Sequence, residues 1–240
     1  MKRALVVMAH PDDADFWASG TIALWAREGW AVTYLIVTGG DAGGFEAGGE
    51  RGALGASGEM AQRRREEQRQ AAAILGVEDV RFLDGFLDGQ VAVTRGLIRP
   101  IVQTIRRVRP DLVLSQSPSR TWRDIRLSHP DHLAVGEATA QAVYPFARNP
   151  FAFPELAAAG LEAFAVRELW LQGDPEPNHA VDVTKVWAER ESALMAHRSQ
   201  HPDPVAAAAR ACREAEAVAA KFGLPAGHRA EDFKRVLIPE

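Results

Sequence analysis

The 240-residue sequence predicts an α/β fold, a Rossmann-like three-layer domain in which a mostly parallel sheet carries helices on both faces. Three observations predict it. Residues 4–9 and 31–38, "ALVVMA" and "AVTYLIVT", are nearly unbroken apolar runs rather than alternating ones, as strands covered on both faces are. Between them, residues 15–28 place Phe16, Ile22, Ala23 and Ala26 at helical spacing and stop at Gly29. Strand, helix and strand in that order form a right-handed βαβ crossover, and the same alternation recurs downstream.

The remaining elements follow in order. Residues 39–58 hold nine glycines and no periodicity, so they read as a long loop of the kind that is functional or mobile in a compact domain. A charged helix spans 60–75 and stops at Gly76, and "VRFL" at 80–83 is a third strand. Thr94 is placed to cap a helix running to Arg107. After Pro110, "DLVLSQ" is a fourth strand that opens into a polar loop, and a helix begins near Pro130. Residues 144–160, with Pro145, Pro150 and Pro154, form a surface connector. Strands follow at 166–171 and 179–183, then a helix over 185–197 capped by Thr184, an alanine-rich helix over 204–221 and a last strand in "FKRVLI". No repeat or boundary divides the chain, so residues 1–240 read as one domain.

Composition narrows the function. With 47% apolar residues and a net charge of −4, the chain buries a substantial core and has no basic excess for nucleic acid. Cys212 is the one cysteine, which excludes an internal disulfide and a thiolate zinc knuckle. The apolar start ends at His10-Pro11-Asp12-Asp13, too early for a signal peptide, and no run is long enough to span a membrane. A cytoplasmic protein is expected, with its oligomeric state, homo-oligomer included, left open.

Ligands of such sheets lie beyond the carboxyl ends of the strands, where this sequence places its densest charge. "HPDD" at 10–13 ends the first strand, and "HPDH" at 129–132 follows the fourth. His10, Asp13 and His132 supply the three His and carboxylate ligands of an open zinc site. Asp12 then stands beside the metal, placed to take a proton from an attacking water. His129, one turn before His132, points at the same cavity as an electrostatic or acid partner, and Asp131 is placed to accept an imidazole N–H and hold a ring. Either motif alone would read as a helix start with a capping carboxylate. The two together, each at a strand end, point to a metal hydrolase.

The stretches "VVMAHPDDADFWASGT", "SHPDHLAVG" and "ALMAHRSQ" resemble the LmbE/PIG-L family of zinc-dependent de-N-acetylases. That resemblance implies one zinc on His10, Asp13 and His132, Asp12 as general base, His129 as its partner, and a small N-acetylated sugar or conjugate as substrate. It also implies that Arg64, in "RREEQRQAAAILG", reaches the sugar. Two departures stand out. Some relatives carry a tyrosine just before the second motif, whereas "RDIRLSHPDH" has none and offers Arg123, Asp124 or Arg126. The usual Gly-Gly-Thr is Ser19-Gly20-Thr21 here.

Other signals are weaker. "GGDAGG" at 39–44 is not in the first βα turn, so it is not a dinucleotide fingerprint, and Gly40 and Asp41 are expected to line the pocket or a lid. The Arg63-Arg64-Arg65 triplet followed by Glu66 and Glu67 reads as a solvated helix face apart from Arg64. His197 is a polar candidate with a structural reading of equal weight. A phosphoesterase using two ions, or a silent metal-binding module, are the rival functions. The first needs more carboxylate ligands than the two motifs offer, and the second has no use for Asp12 or His129.

Overall fold

The computed structural model describes residues 1–43, 57–122 and 125–239, with the backbone alone for Ser57 and Arg126. Seven strands form one sheet: β1 (Arg3–Met8), β2 (Ala31–Ile36), β3 (Asp79–Phe82), β4 (Leu112–Gln116), β5 (Glu168–Gln172), β6 (His179–Asp182) and β7 (Ala230–Leu237). Their order is β3-β2-β1-β4-β5-β7-β6. The first five run parallel, and β7 lies antiparallel between β5 and β6.

The apolar run of β1 is unbroken because the strand is central. Val6 pairs with Tyr34 of β2 on one side and Leu114 of β4 on the other. Successive side chains of a strand point to opposite faces, and both faces are covered. Leu5 and Val7 pack with Ile98, Ile101 and Ile105 of α4 (Arg95–Val108) and Val135 of α5 (Pro130–Gln141). Ala4, Val6 and Met8 pack with Ile22 of α2 (Ser19–Arg27) and Ala71 and Ala72 of α3 (Ser57–Ile74). Each fully buried aliphatic side chain is worth about 1.5–3 kcal/mol, so the three layers are held chiefly by these two cores.

The strand and helix expectations hold, with three differences of detail. The first helix is two, α1 (Asp13–Trp17) and α2, because Ala18 leaves helical geometry at φ −140, ψ 1. Thr184 does not cap the next long helix. A 3-10 turn at Thr184–Val186 precedes α7 (Trp187–Met195), and the Thr184 N–H bonds back to Asp182 Oδ1 at 3.0 Å. The connector after residue 144 contains a short helix, α6 (Pro154–Ala158). Buried Arg106 of α4 fixes this connector by donating to the carbonyls of Phe146, Ala147, Asn149, Ala152 and Leu161 at 2.9–3.5 Å. Thr94 caps α4 as expected, accepting from Leu97 N at 3.2 Å. Asp203 caps α8 (Pro204–Lys221). Most of the glycine-rich loop, residues 44–56, lies outside the described residues.

Gly136 sets how closely α5 approaches the sheet. A Cβ there would lie 2.4 Å from the Gln116 carbonyl oxygen, so only glycine lets the helix that carries the second motif sit against the end of β4.

Candidate active site

Both motifs converge at the carboxyl end of β1. His10 leaves the strand, Asp13 opens α1, and His132 lies in the first turn of α5 with His129 as its N-cap. His10 Nδ1 is 3.2 Å from His132 Nε2 and 3.4 Å from Asp13 Oδ2, and His132 Nε2 is 3.1 Å from Asp13 Oδ1. An ion with bonds of about 2.0–2.1 Å in tetrahedral geometry needs donors roughly 3.3 Å apart, and the three contacts have about this length, with Asp13 meeting His10 through Oδ2 and His132 through Oδ1. Asp13 is further fixed by the His10 N–H at 2.7 Å and Gln116 Nε2 at 2.8 Å. Gln116 also accepts the Ala9 N–H at 3.1 Å, tying the ends of β1 and β4 together.

Burial opposes charge on Asp13 and His10, but their pairing prevails. His132 and His10 hold Asp13 well below the usual carboxylate range. Asp13, Asp131 and Asp88 raise His10 well above 6.5. The other ring nitrogen of His10 is held from behind: Nε2 lies 3.1 Å from Asp131 Oδ2 and 3.0 Å from Asp88 Oδ1. Among the described residues, two groups have ligand atoms close enough together for one ion: His10 with His129 and His132, and His10 with Asp88 and Asp131. Asp131 also accepts the Gly89 N–H at 2.7 Å and the Val91 N–H at 3.1 Å. A carboxylate fixed in this way by the backbone is suited to orienting an imidazole.

Asp12 occupies the left-handed region at φ 96. Burial raises the pKa of its carboxyl, and Arg64 opposes the rise. Arg64 Nη2 is 3.2 Å from Asp12 Oδ2. The His129 ring lies 5.1 Å from His10 and 5.3 Å from His132. Its Nδ1 accepts the Asp131 N–H at 3.3 Å, so the neutral ring carries its proton on Nε2. Burial lowers the pKa of His129, and His10 and His132 lower it further.

Residues 5–143 match the family of GlcNAc-PI de-N-acetylases, PIG-L. The chain belongs to that family. It is 34% identical over 206 residues to the diacetylchitobiose deacetylase of Thermococcus kodakarensis, covering 85% of this chain and 72% of the relative. A 1D-myo-inositol 2-acetamido-2-deoxy-alpha-D-glucopyranoside deacetylase of Rhodococcus erythropolis is 30% identical, with 83% and 81% covered. Among solved structures, the N,N'-diacetylchitobiose deacetylase of Pyrococcus horikoshii superposes with a TM-score of 0.86 at 26% identity, covering 98% of this chain and 84% of that one. The chain is accordingly a hydrolase of the N-deacetylase type.

Within this deacetylase His10, Asp12, Asp13, His129, Asp131 and His132 do come together. Asp131, expected beside the reacting groups as the acceptor that holds an imidazole ring, is fully buried with Oδ2 3.1 Å from His10 Nε2. Arg64, expected to reach the sugar, is instead 4% exposed and donates to Gly40 O at 2.9 Å and Pro11 O at 2.6 Å, besides pairing with Asp12. Gly40 is required there, since a Cβ would lie 2.4 Å from Arg64 Nη1. Asp41 Oδ1 accepts the Asp88 N–H at 3.2 Å, so it supports the loop behind His10. Arg123, Asp124 and the Arg126 side chain lie outside the described residues.

Sequence reasoning missed Asp88 and Gln116. Asp88 precedes Gly89 and reads as an ordinary turn, and no local signal marks it. Gln116 had one: a polar residue closing a fully buried strand needs partners there.

Proposed function

We propose that the chain removes an acetyl group from the amine of an N-acetylglucosamine-type sugar or conjugate, with one zinc ion held by His10, Asp13 and His132. The observation that carries this reading is the convergence of His10, His132 and the Asp13 carboxylate at 3.1–3.4 Å, with Asp12 next to them in sequence and outside these contacts. Bound there, zinc supplies Lewis-acid polarisation of the amide carbonyl and a water of pKa about 7. Asp12, whose buried carboxyl has a raised pKa, takes the proton of the attacking water and returns it to the departing amine nitrogen. His129 donates through Nε2–H to the oxygen that becomes negative. Asp131 and Asp88 keep the His10 ring turned toward Asp13 and His132. The C–N bond breaks to give acetic acid and the amine, the remaining water proton passes from the acid to the amine to leave acetate and the ammonium form, and Asp12 ends unprotonated as it began.

The printed substrates of the relatives, diacetylchitobiose and a glucosaminyl inositol, support an amino sugar. Among the described residues no helix is long and apolar enough to cross a membrane. Metal content, measured together with free amine released from diacetylchitobiose, N-acetylglucosamine and its inositol conjugate, tests the reading. About one zinc per chain and chelator-sensitive amine release are expected. Two ions per chain with phosphate release from phosphoesters, and no amine, would replace it with phosphoester hydrolysis.

A further inference from the structure

The buried face of α3 is polar at the end nearest the site. Arg64, Glu67 and Gln68 are at most 7% exposed, and Ala71, Ala72 and Leu75 continue the same stripe. Arg64 holds the Asp12 side chain, and Gln68 holds its backbone: Asp12 N–H donates to Gln68 Oε1 at 2.8 Å. Gln68 Nε2 then donates to Asp15 Oδ2 at 2.8 Å, and the same oxygen lies 2.9 Å from His197 Nε2. Asp15, Gln68 and His197 are all 0% exposed.

The direction of this chain is fixed by chemistry. A backbone N–H can only donate, so Gln68 must present its oxygen to Asp12 and its amide hydrogens to Asp15. Asp15 Oδ2 is then an acceptor, and His197 Nε2 must carry a proton to reach it. Glu67 anchors the far end by accepting from Ser199 N at 2.9 Å and Ser199 Oγ at 2.6 Å, which seats the "AHRSQ" segment on α3.

Stability alone does not account for these residues. Among the described residues Asp15 Oδ1 and His197 Nδ1 are buried with no hydrogen-bond partner, and each such atom costs about 1–3 kcal/mol. An apolar filling would avoid both. What the chain of bonds does hold is the left-handed backbone of Asp12 at φ 96, a conformation that costs a non-glycine residue and persists only when its surroundings impose it.

We propose that Gln68, Asp15 and His197 are positioning residues that set the backbone, and so the aim, of Asp12. The proposal rests on the reading of Asp12 as the base. Gln68→Met removes both amide bonds at equal length, His197→Leu removes the last donor, and His197→Gln returns a donor near the Nε2 position. Each zinc-loaded variant is compared with the parent in ion content, kcat and KM on diacetylchitobiose, and hydrogen exchange of the Asp12 amide. Ion content and KM should stay within about twofold while kcat falls roughly 10–100-fold in Gln68→Met and His197→Leu, the usual effect of misaiming a reacting group. The Asp12 amide should exchange faster in both, and His197→Gln should recover most of the kcat. If His197→Leu fails to fold, Gln68→Met decides. An unchanged Asp12 amide with intact kcat, or a His197→Gln enzyme as slow as His197→Leu, would overturn the proposal. A parent enzyme that releases no amine refutes the deacetylase reading instead, and the amide exchange still decides whether the chain of bonds sets Asp12.

Discussion

Replacing Asp12 by asparagine isolates its chemistry from its geometry. Alanine would pay roughly 1–2 kcal/mol to hold φ 96, whereas asparagine enters the left-handed region readily. On the proposed ion donors, His10, Asp13 and His132, Asp12→Asn should retain about one ion per chain. Losing a general base removes roughly 10²–10⁴-fold of rate, equal to about 3–5 kcal/mol of barrier. A structural cost accompanies it. Arg64 loses the carboxylate 3.2 Å away but keeps the Gly40 and Pro11 carbonyls. Breaking a buried pair outright costs about 3–5 kcal/mol. With two acceptors left, about 1–2 kcal/mol is expected, a fall of roughly 3–6 °C in Tm for a chain of this size. The assay is kcat on diacetylchitobiose at 25 °C beside metal content and a thermal melt, with His132→Ala as the control that should lose ion and turnover together. A metal-loaded Asp12→Asn enzyme within about tenfold of the parent would sink the base assignment, because an amide cannot accept that proton.

Two further outcomes concern stability. Arg106→Leu should cost about 3 kcal/mol or more by orphaning buried carbonyls of the connector after residue 144; thermal unfolding with limited proteolysis over 146–161 checks it, and an unchanged melt would contradict it. His201 is 6% exposed, and burial, then His197 and Arg210, lower its pKa to about 4. Its stabilisation is therefore complete above the unfolded value near 6.5 and is lost as pH falls from there toward 4, because the unfolded chain binds a proton that the folded one refuses. Between pH 7 and pH 5 the parent should lose about 2 kcal/mol more than His201→Gln in urea unfolding; equal losses would show that His201 titrates normally.

Much of the fold was readable because the core strands are covered on both faces. "ALVVMA" and "AVTYLIVT" have no solvent-facing positions, so composition alone separates them from loops. The break at Ala18 was not readable, since the apolar spacing runs through it and only the Ala18 backbone, at φ −140 and ψ 1, ends one helix and begins the next. Thr184 shows the opposite failure. A residue with the right chemistry for a cap bonds backward to Asp182 because a 3-10 turn intervenes.

The convergence of the two motifs was legible because both lie at strand ends, where topology brings them together. The residues that hold those side chains come from elsewhere, and their local sequence has a commoner explanation. Arg64, Glu67 and Gln68 sit in "RRREEQRQ", whose charge pattern reads as a solvated face. Yet positions 64, 67, 68, 71, 72 and 75 follow the 3-1-3-1-3 spacing of one helix face, and Ala71, Ala72 and Leu75 mark that face as buried. Polar residues that continue an apolar stripe must find partners inside the protein. The partners are the backbone and side chain of Asp12, together with Asp15 and Ser199. The phase of the stripe, rather than the charge of the segment, is what separates a solvated helix from one whose polar side chains hold Asp12.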